Sequence, residues 1–233
     1  MSNDKLPTRS SDAEVAEFLR KLARAPAVQG SRGRLIFALD ATASRQPTWD
    51  RACQLQGEMF TETASFGGLT IQLVWYRGFG EFDASPWLSQ APDLLRRMSA
   101  VFCLGGITQI GRVLSHTIQE TRKHRVNALV FVGDCVEEDI DKLCHLAGEL
   151  GLLGVPVFIF QEGNEPVAAE AFRQIARLSH GAYCRFDADS ARQLRELLSA
   201  VAVYAAGGRR ALEDFGRRKG GLALQLTHQV QRR

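Results

Sequence analysis

No stretch of this chain is apolar for long enough to cross a bilayer, and its first residues, MSNDKLPTRSSDAEVAEF, carry no apolar segment behind a basic start. A soluble, cytoplasmic protein is the expectation. Cysteine is scarce and scattered: Cys53, Cys103, Cys135, Cys144 and Cys184 never fall in a CxxC pair. That spacing suggests neither a zinc site nor a disulfide framework, and reduced, packed thiols are expected. Also missing are a GxxxxGKS or GxxxxGKT phosphate loop, a GxSxG elbow and an HExxH pair, so the commonest nucleotide, ester and zinc-peptidase chemistries have no foothold. His116, His124, His145, His180 and His228 are spread along the chain and read as surface or helix-end residues.

Charge is nearly balanced overall, yet it is not evenly spread. Residues 1–34 hold 7 Lys and Arg against 4 Asp and Glu, residues 35–206 hold 15 against 20, and residues 207–233 hold 7 against 2. A mildly acidic body thus has basic ends. The tail GGRRALEDFGRRKGGLALQLTHQVQRR reads first as a solvated segment; contact with an acidic partner, nucleic acid or a membrane surface is the alternative. Both ends also offer contacts through which copies of the chain could associate.

What the sequence does have is a regular alternation of apolar runs and helical periodicity. Buried strands are expected at 34–40 (RLIFALD), 69–76, 127–134 (NALVFVGD), 155–160 and 182–187. The segment GFGEFDAS (78–85) follows the second strand so closely that an antiparallel hairpin strand at the sheet edge is expected. Helical spacing marks 108–125, 165–180 and 191–206, the last with Ser190 as N-cap and Leu194, Leu197, Leu198 and Val201 facing inward. Ser11 and Glu14 form a capping-box pattern that opens a short amphipathic helix with Val15, Phe18, Leu19 and Leu22. Strands alternating with helices require a mostly parallel sheet, so the fold class is α/β, a Rossmann-like three-layer α/β/α arrangement with one antiparallel edge strand.

Three segments place oxygen donors at loops leaving the carboxyl ends of expected strands. LIFALDATAS ends in Asp40, Thr42 and Ser44; GGITQIG carries Thr108 at a turn into the long helix; FVGDCVEED puts Asp134 after a buried strand. Each alone is weak, because Asp, Ser and Thr are common turn and cap residues. In this order, the set DxTxS, then a GGxT turn, then an apolar strand ending in GD resembles the von Willebrand factor type A (vWA) domain with its metal-ion-dependent adhesion site. The resemblance covers roughly residues 33–206, with residues 1–32 as an N-terminal extension and 207–233 as a basic tail. It implies that Asp40, Thr42, Ser44, Thr108 and Asp134 hold Mg²⁺ or Mn²⁺, and that an open coordination position accepts an Asp or Glu carboxylate of a protein partner. Hard oxygen donors of this kind suit Mg²⁺ independently of the resemblance. The one departure is Thr42 where Ser is commoner, and the hydroxyl is kept.

The resemblance implies a non-enzymatic binding protein working in an intracellular multiprotein assembly. Two alternatives stand beside it. One is a vWA-like scaffold without metal. The other is a haloacid-dehalogenase-type phosphatase, for which Asp40, Thr108, Lys123, Asp134 and Asp139 can be cast; that chemistry needs a carboxylate two residues after the nucleophile, and Thr42 stands there. Glu137, Glu138, Asp139 and Asp141 read as first-turn acids favoured by a helix dipole, with metal- or partner-facing roles as the alternative. Trp49 and Trp75 are expected in the core and Trp87 in an exposed loop. Cys135 is expected to be a small packed residue.

Overall fold

The computed structural model describes residues 11–24, 33–45, 69–186, 196 and 199–207. The sheet has six strands: β1 (Gly33–Asp40), β2 (Leu69–Arg77), β3 (Glu81–Ala84), β4 (Ala128–Gly133), β5 (Val157–Glu162) and β6 (Ala182–Phe186). Their order is β3-β2-β1-β4-β5-β6, with every pair parallel except β2 and β3. The five expected parallel strands are present within a residue or two at either end, and the expected edge hairpin is β3.

Why the parallel strands read as unbroken apolar runs is visible in their burial. Leu35, Phe37 and Leu39 of β1 join one cluster, while Ile36 and Ala38 join the other on the opposite face. Both faces are covered, so alternation of side chains gives no polar positions. On the first face lie α1 (Asp12–Arg24), α2 (Ala91–Ser99) and the helical residues 199–207; on the second lie α3 (Ile110–Lys123), α4 (Ile140–Leu152) and α5 (Pro166–Leu178). The result is the three-layer α/β/α arrangement.

The first helix forms as its sequence dictates. The Ser11 amide donates to Glu14 Oε2 at 2.7 Å and the Glu14 amide donates back to Ser11 Oγ at 3.3 Å, closing the capping box. Its apolar face is fully engaged with the sheet: Val15, Phe18, Leu19 and Leu22 are buried, and the Phe18 ring lies 6.0 Å from Phe158 and 5.3 Å from Phe160. α1 is therefore packed on the same sheet as the helices that follow β1. The sequence reading assigns no helix to residues 91–99, where α2 lies. It is held by Leu94 and Met98, buried four residues apart on one side, with a proline in its first turn. Ser190, Leu194, Leu197, Leu198, Trp49, Cys53 and the tail from residue 208 onward lie outside the described residues, whereas Val201 is buried as expected.

The strand order decides where a ligand can sit. From β1 the chain proceeds to β2 on one side and later to β4 on the other, so the direction of winding reverses between β1 and β4. In open α/β sheets the crevice for a ligand opens at the carboxyl ends of the strands at such a reversal. Asp40 ends β1 and Asp134 follows β4, one on each side of it. Among the described residues no helix is long and apolar enough to cross a membrane.

Candidate metal site

Asp40 is a fully buried carboxylate, which is costly unless its oxygens are engaged. They are: Oδ1 accepts from the Thr42 amide at 2.8 Å, a tight turn that redirects the chain after β1, and Oδ2 accepts from the Tyr76 hydroxyl at 2.9 Å. Tyr76 can do this because it lies directly beside Asp40 in the β1–β2 register. The same turn brings the Thr42 and Ser44 hydroxyls within 3.2 Å of each other, Thr42 buried and Ser44 exposed.

Across the reversal, one ligand atom each from Asp40, Asp134 and Cys135 lie within 4.8 Å of one another. Approach is possible because residue 133 is glycine. A Cβ there would fall 2.8 Å from the Phe131 ring and 3.4 Å from Asp40 Cβ. Asp134 Oδ1 is shut off from solvent and has no hydrogen-bond partner among the described residues, an expensive state for a carboxylate oxygen. Burial pushes the Asp40 carboxyl above its ordinary value, and the nearby charge of Asp134 adds to this; the Thr42 bonds and Arg45 pull the other way. The Tyr76 hydroxyl is pushed well up by burial and by Asp40. Cys135, half-buried beside both aspartates, is pushed up to about 12 by burial first and then by Asp134 and Asp40.

Beneath this pair lies a residue that sequence reasoning missed. Arg45 closes the short 3-10 turn Ala43–Arg45 and is 1% exposed, the largest fully buried side chain among the described residues. Its Nη1 donates to the Asp40 carbonyl at 2.8 Å and to the Val132 carbonyl at 3.4 Å, and its Nε donates to Glu162 at 3.0 Å. One guanidinium thus ties together the ends of β1, β4 and β5. An arginine at the end of a polar turn reads as surface, and only the assembled sheet encloses it.

Thr108 enters from the loop before α3. It is buried, its amide donates to Glu137 Oε2 at 2.9 Å, and its Oγ1 accepts from the Glu137 amide at 3.0 Å. This reciprocal pair fastens the Thr108 loop to the loop that carries Asp134. Next to it, the Glu138 carboxylate accepts from the Ile110 and Gly111 amides at 2.5 and 2.8 Å, so it caps α3 from another part of the chain. The residue in the N-cap position cannot do so, because Gln109 is turned away to donate to the Arg77 and Glu81 carbonyls. Glu137 and Glu138 are therefore not dipole acids of their own helix, contrary to the sequence expectation. Asp139 is: it caps α4 by accepting from the Asp141 and Lys142 amides.

The cast for phosphatase chemistry is not gathered here. Lys123 ends α3 and pairs with Glu120 at 2.8 Å, a helix length or about 20 Å from the Thr108 loop, and Asp139 is engaged in its cap. Trp87, expected in an exposed loop, is half-buried; its Nε1 donates to Glu120 at 3.0 Å and the Arg34 guanidinium stacks on its ring. Trp75 is only partly buried, packed at the rim of the first cluster.

Chemically, the Asp40, Thr42, Ser44, Thr108 and Asp134 set offers two carboxylates and three hydroxyls, the hard donors that suit a small divalent cation. The partnerless Asp134 oxygen fits a cation ligand. Cys135 adds a soft donor that Mg²⁺ does not prefer.

No protein-family model and no curated protein matches this sequence. Solved structures do. The SpRpn10 VWA domain is 15% identical, with 74% of this chain and 94% of that one aligned at a TM-score of 0.56. A von Willebrand factor type A protein from Catenulispora acidiphila is 14% identical over 76% of this chain and 44% of that one, TM-score 0.56. The pilus adhesin SpaC from Lactobacillus rhamnosus GG is 11% identical over 78% of this chain and 31% of that one, TM-score 0.57. At such identities the likeness concerns the backbone, and with the strand order and the antiparallel edge it establishes that this chain has the fold of a von Willebrand factor type A domain.

Proposed function

We propose that this protein is a non-enzymatic binding module of the cytoplasm, which holds Mg²⁺ or Mn²⁺ through Asp40, Thr42, Ser44, Thr108 and Asp134 and uses it to capture an Asp or Glu carboxylate of a partner protein within a multiprotein assembly. The observation that carries the reading is that Asp134, one of whose oxygens is buried with no hydrogen-bond partner among the described residues, comes close to the Asp40 carboxylate where the sheet's winding reverses. A bound divalent cation would supply positive charge and an open coordination position. Everything else falls to the chain itself. Tyr76 and the Thr42 amide hold the Asp40 carboxylate in one orientation, Arg45 fixes the strand ends beneath it, and the Thr108–Glu137 pair joins the two remaining loops. Hydrogen bonds within the chain thus position these groups without a partner's help, which limits the ordering cost of binding.

The test is recovery of partners from native extract on immobilised protein, in Mg²⁺ and in EDTA, for wild type and Asp40→Ala. Proteins retained only by wild type in Mg²⁺ are expected. Identical recovery in all arms contradicts metal-mediated capture and favours the metal-free scaffold. A panel of phosphate monoesters assayed alongside should show no hydrolysis above that of Asp40→Asn; Asp40-dependent turnover would instead favour the phosphatase, despite Thr42 and the distant Lys123.

A further inference from the structure

Seven large hydrophobic side chains are exposed among the described residues, and four of them, Phe79 (85%), Phe102 (59%), Leu104 (46%) and Ile107 (47%), come from just two loops. Those loops are tied into one surface. The Gly78 amide donates to the Leu104 carbonyl at 3.5 Å and the Ile107 amide donates to the Gly78 carbonyl at 3.2 Å. Their approach requires glycine at 106, where a Cβ would stand 2.0 Å from the Gly78 carbonyl oxygen. The patch is therefore built by close backbone packing and is not a scatter of stray side chains.

It also adjoins the candidate metal site. The Leu104 amide donates to the Ala41 carbonyl at 3.0 Å, and residue 104 bridges to Thr42 in parallel. The same loop reaches Thr108 four residues later. Positive charge is set into the frame of the patch: Arg77 stacks on the Phe102 ring at 3.9 Å and donates to the Phe102 carbonyl, while Arg112 donates to the Gly80 carbonyl at 2.7 Å. Arg77 shares its charge with Glu81, but the hydrogen bonds of Arg112 go to neutral oxygens. An apolar surface with a cationic rim, continuous with a site that would take a carboxylate, matches one kind of ligand.

We infer that the surface formed by Phe79, Phe102, Leu104 and Ile107 receives bulky apolar side chains flanking the captured acid, so that the partner segment is an Asp or Glu set between large hydrophobic residues. This rests on the metal-binding reading of the adjoining site. The carboxylate on the cation supplies orientation, and the apolar flanks add affinity in proportion to the aromatic and aliphatic surface they desolvate. Specificity then lies with the patch, since any carboxylate satisfies a cation.

The experiment is selection of displayed random peptides on the full chain in Mg²⁺, followed by affinity measurement of the recovered peptide against wild type, Asp40→Ala and the double variant Phe79→Ser with Phe102→Ser. The expected consensus is an acid flanked by aromatic or large aliphatic residues. The double variant should bind it about tenfold more weakly or worse while giving the wild-type Mg²⁺ titration, which also certifies its fold. Acidic peptides without apolar preference, equal binding by the double variant, or no recovered peptide overturn the inference and leave the metal reading standing if Mg²⁺ still titrates. Apolar peptides that lack an acid and bind equally in EDTA defeat the metal reading and with it the acid-centred ligand. Sedimentation with phosphatidylglycerol vesicles that depends on Phe79 and Phe102, without a peptide consensus, assigns the patch to a lipid surface and overturns the inference.

Discussion

Asp40, Asp134, Glu137 and Glu138 lie at the carboxyl end of the sheet, and they fall into two regions of different character. Glu137 and Glu138 spend their oxygens on the backbone amides of Thr108, Ile110 and Gly111, joining one loop to the start of α3. Asp40 and Asp134 instead come close to each other, with burial raising the Asp40 carboxyl and one Asp134 oxygen lacking any partner among the described residues. The first pair is consumed in holding the fold together. In the second, the Asp40 oxygens are held by the Thr42 amide and the Tyr76 hydroxyl, and it is the Asp134 oxygen that keeps the unspent binding capacity a ligand site needs. Acids in one place thus differ in where their lone pairs go, and the proposed metal site rests on that difference at Asp134.

The division can be broken most forcefully from below. Arg45 supports the aspartate region by joining three strand ends, so Arg45→Met should leave Glu162 and two carbonyls unmatched and cost about 3–5 kcal/mol in urea denaturation. A loss under about 1 kcal/mol would mean that the strand ends are held by other contacts. Next in size is the glutamate region. Glu138→Ala uncaps α3 and should cost about 1–2 kcal/mol while the Mg²⁺ titration keeps its wild-type shape. If metal binding disappears with a native fold, Glu138 belongs to the site and the division fails.

A smaller effect sharpens the boundary between the two regions, because Thr108 belongs to both. Thr108→Ala removes the hydroxyl that accepts from the Glu137 amide and Glu137→Ala the carboxylate that accepts from the Thr108 amide, so each should cost about 0.5–1.5 kcal/mol in urea denaturation. Only the Thr108 change should weaken Mg²⁺ binding. The smallest effect is a control away from both regions. His116 is held below its ordinary value of 6.5 chiefly by burial, beside Gln72 and the Phe82 ring. The unfolded chain therefore takes up this proton first, and stability should fall as pH drops through 6.5 toward the lowered value. His116→Gln should flatten that part of a stability-against-pH series, and an unchanged slope would place the titration elsewhere.

How much of this was legible in the sequence follows from how local each cause is. The strands at 34–40 and 127–134 were legible because burial on both faces leaves a continuous apolar run, and the Ser11–Glu14 box because its two partners are three residues apart. Asp40, Thr42 and Ser44 were legible as candidates, since every-second spacing after a strand is a local pattern. Arg45 was not, because its partners on β4 and β5 are 87 and 117 residues away. Glu138 was misread for the same reason: its proximity to its own helix was visible, whereas its bond to α3 depends on Gln109 being drawn off by the β2–β3 hairpin. The apolar patch has no periodicity, and four exposed residues from two loops become one surface only when Gly106 meets Gly78.

The most direct test is calorimetric titration of Mg²⁺ into wild type, Asp40→Asn, Asp134→Asn, Glu137→Gln and Glu138→Gln. A site at Asp40 and Asp134, with Glu137 and Glu138 engaged by backbone amides, predicts one divalent site in wild type and in both glutamate variants, lost in both aspartate variants, with all five proteins folded by circular dichroism. A flat titration of wild type at millimolar Mg²⁺, or equal binding by all five, would contradict the account.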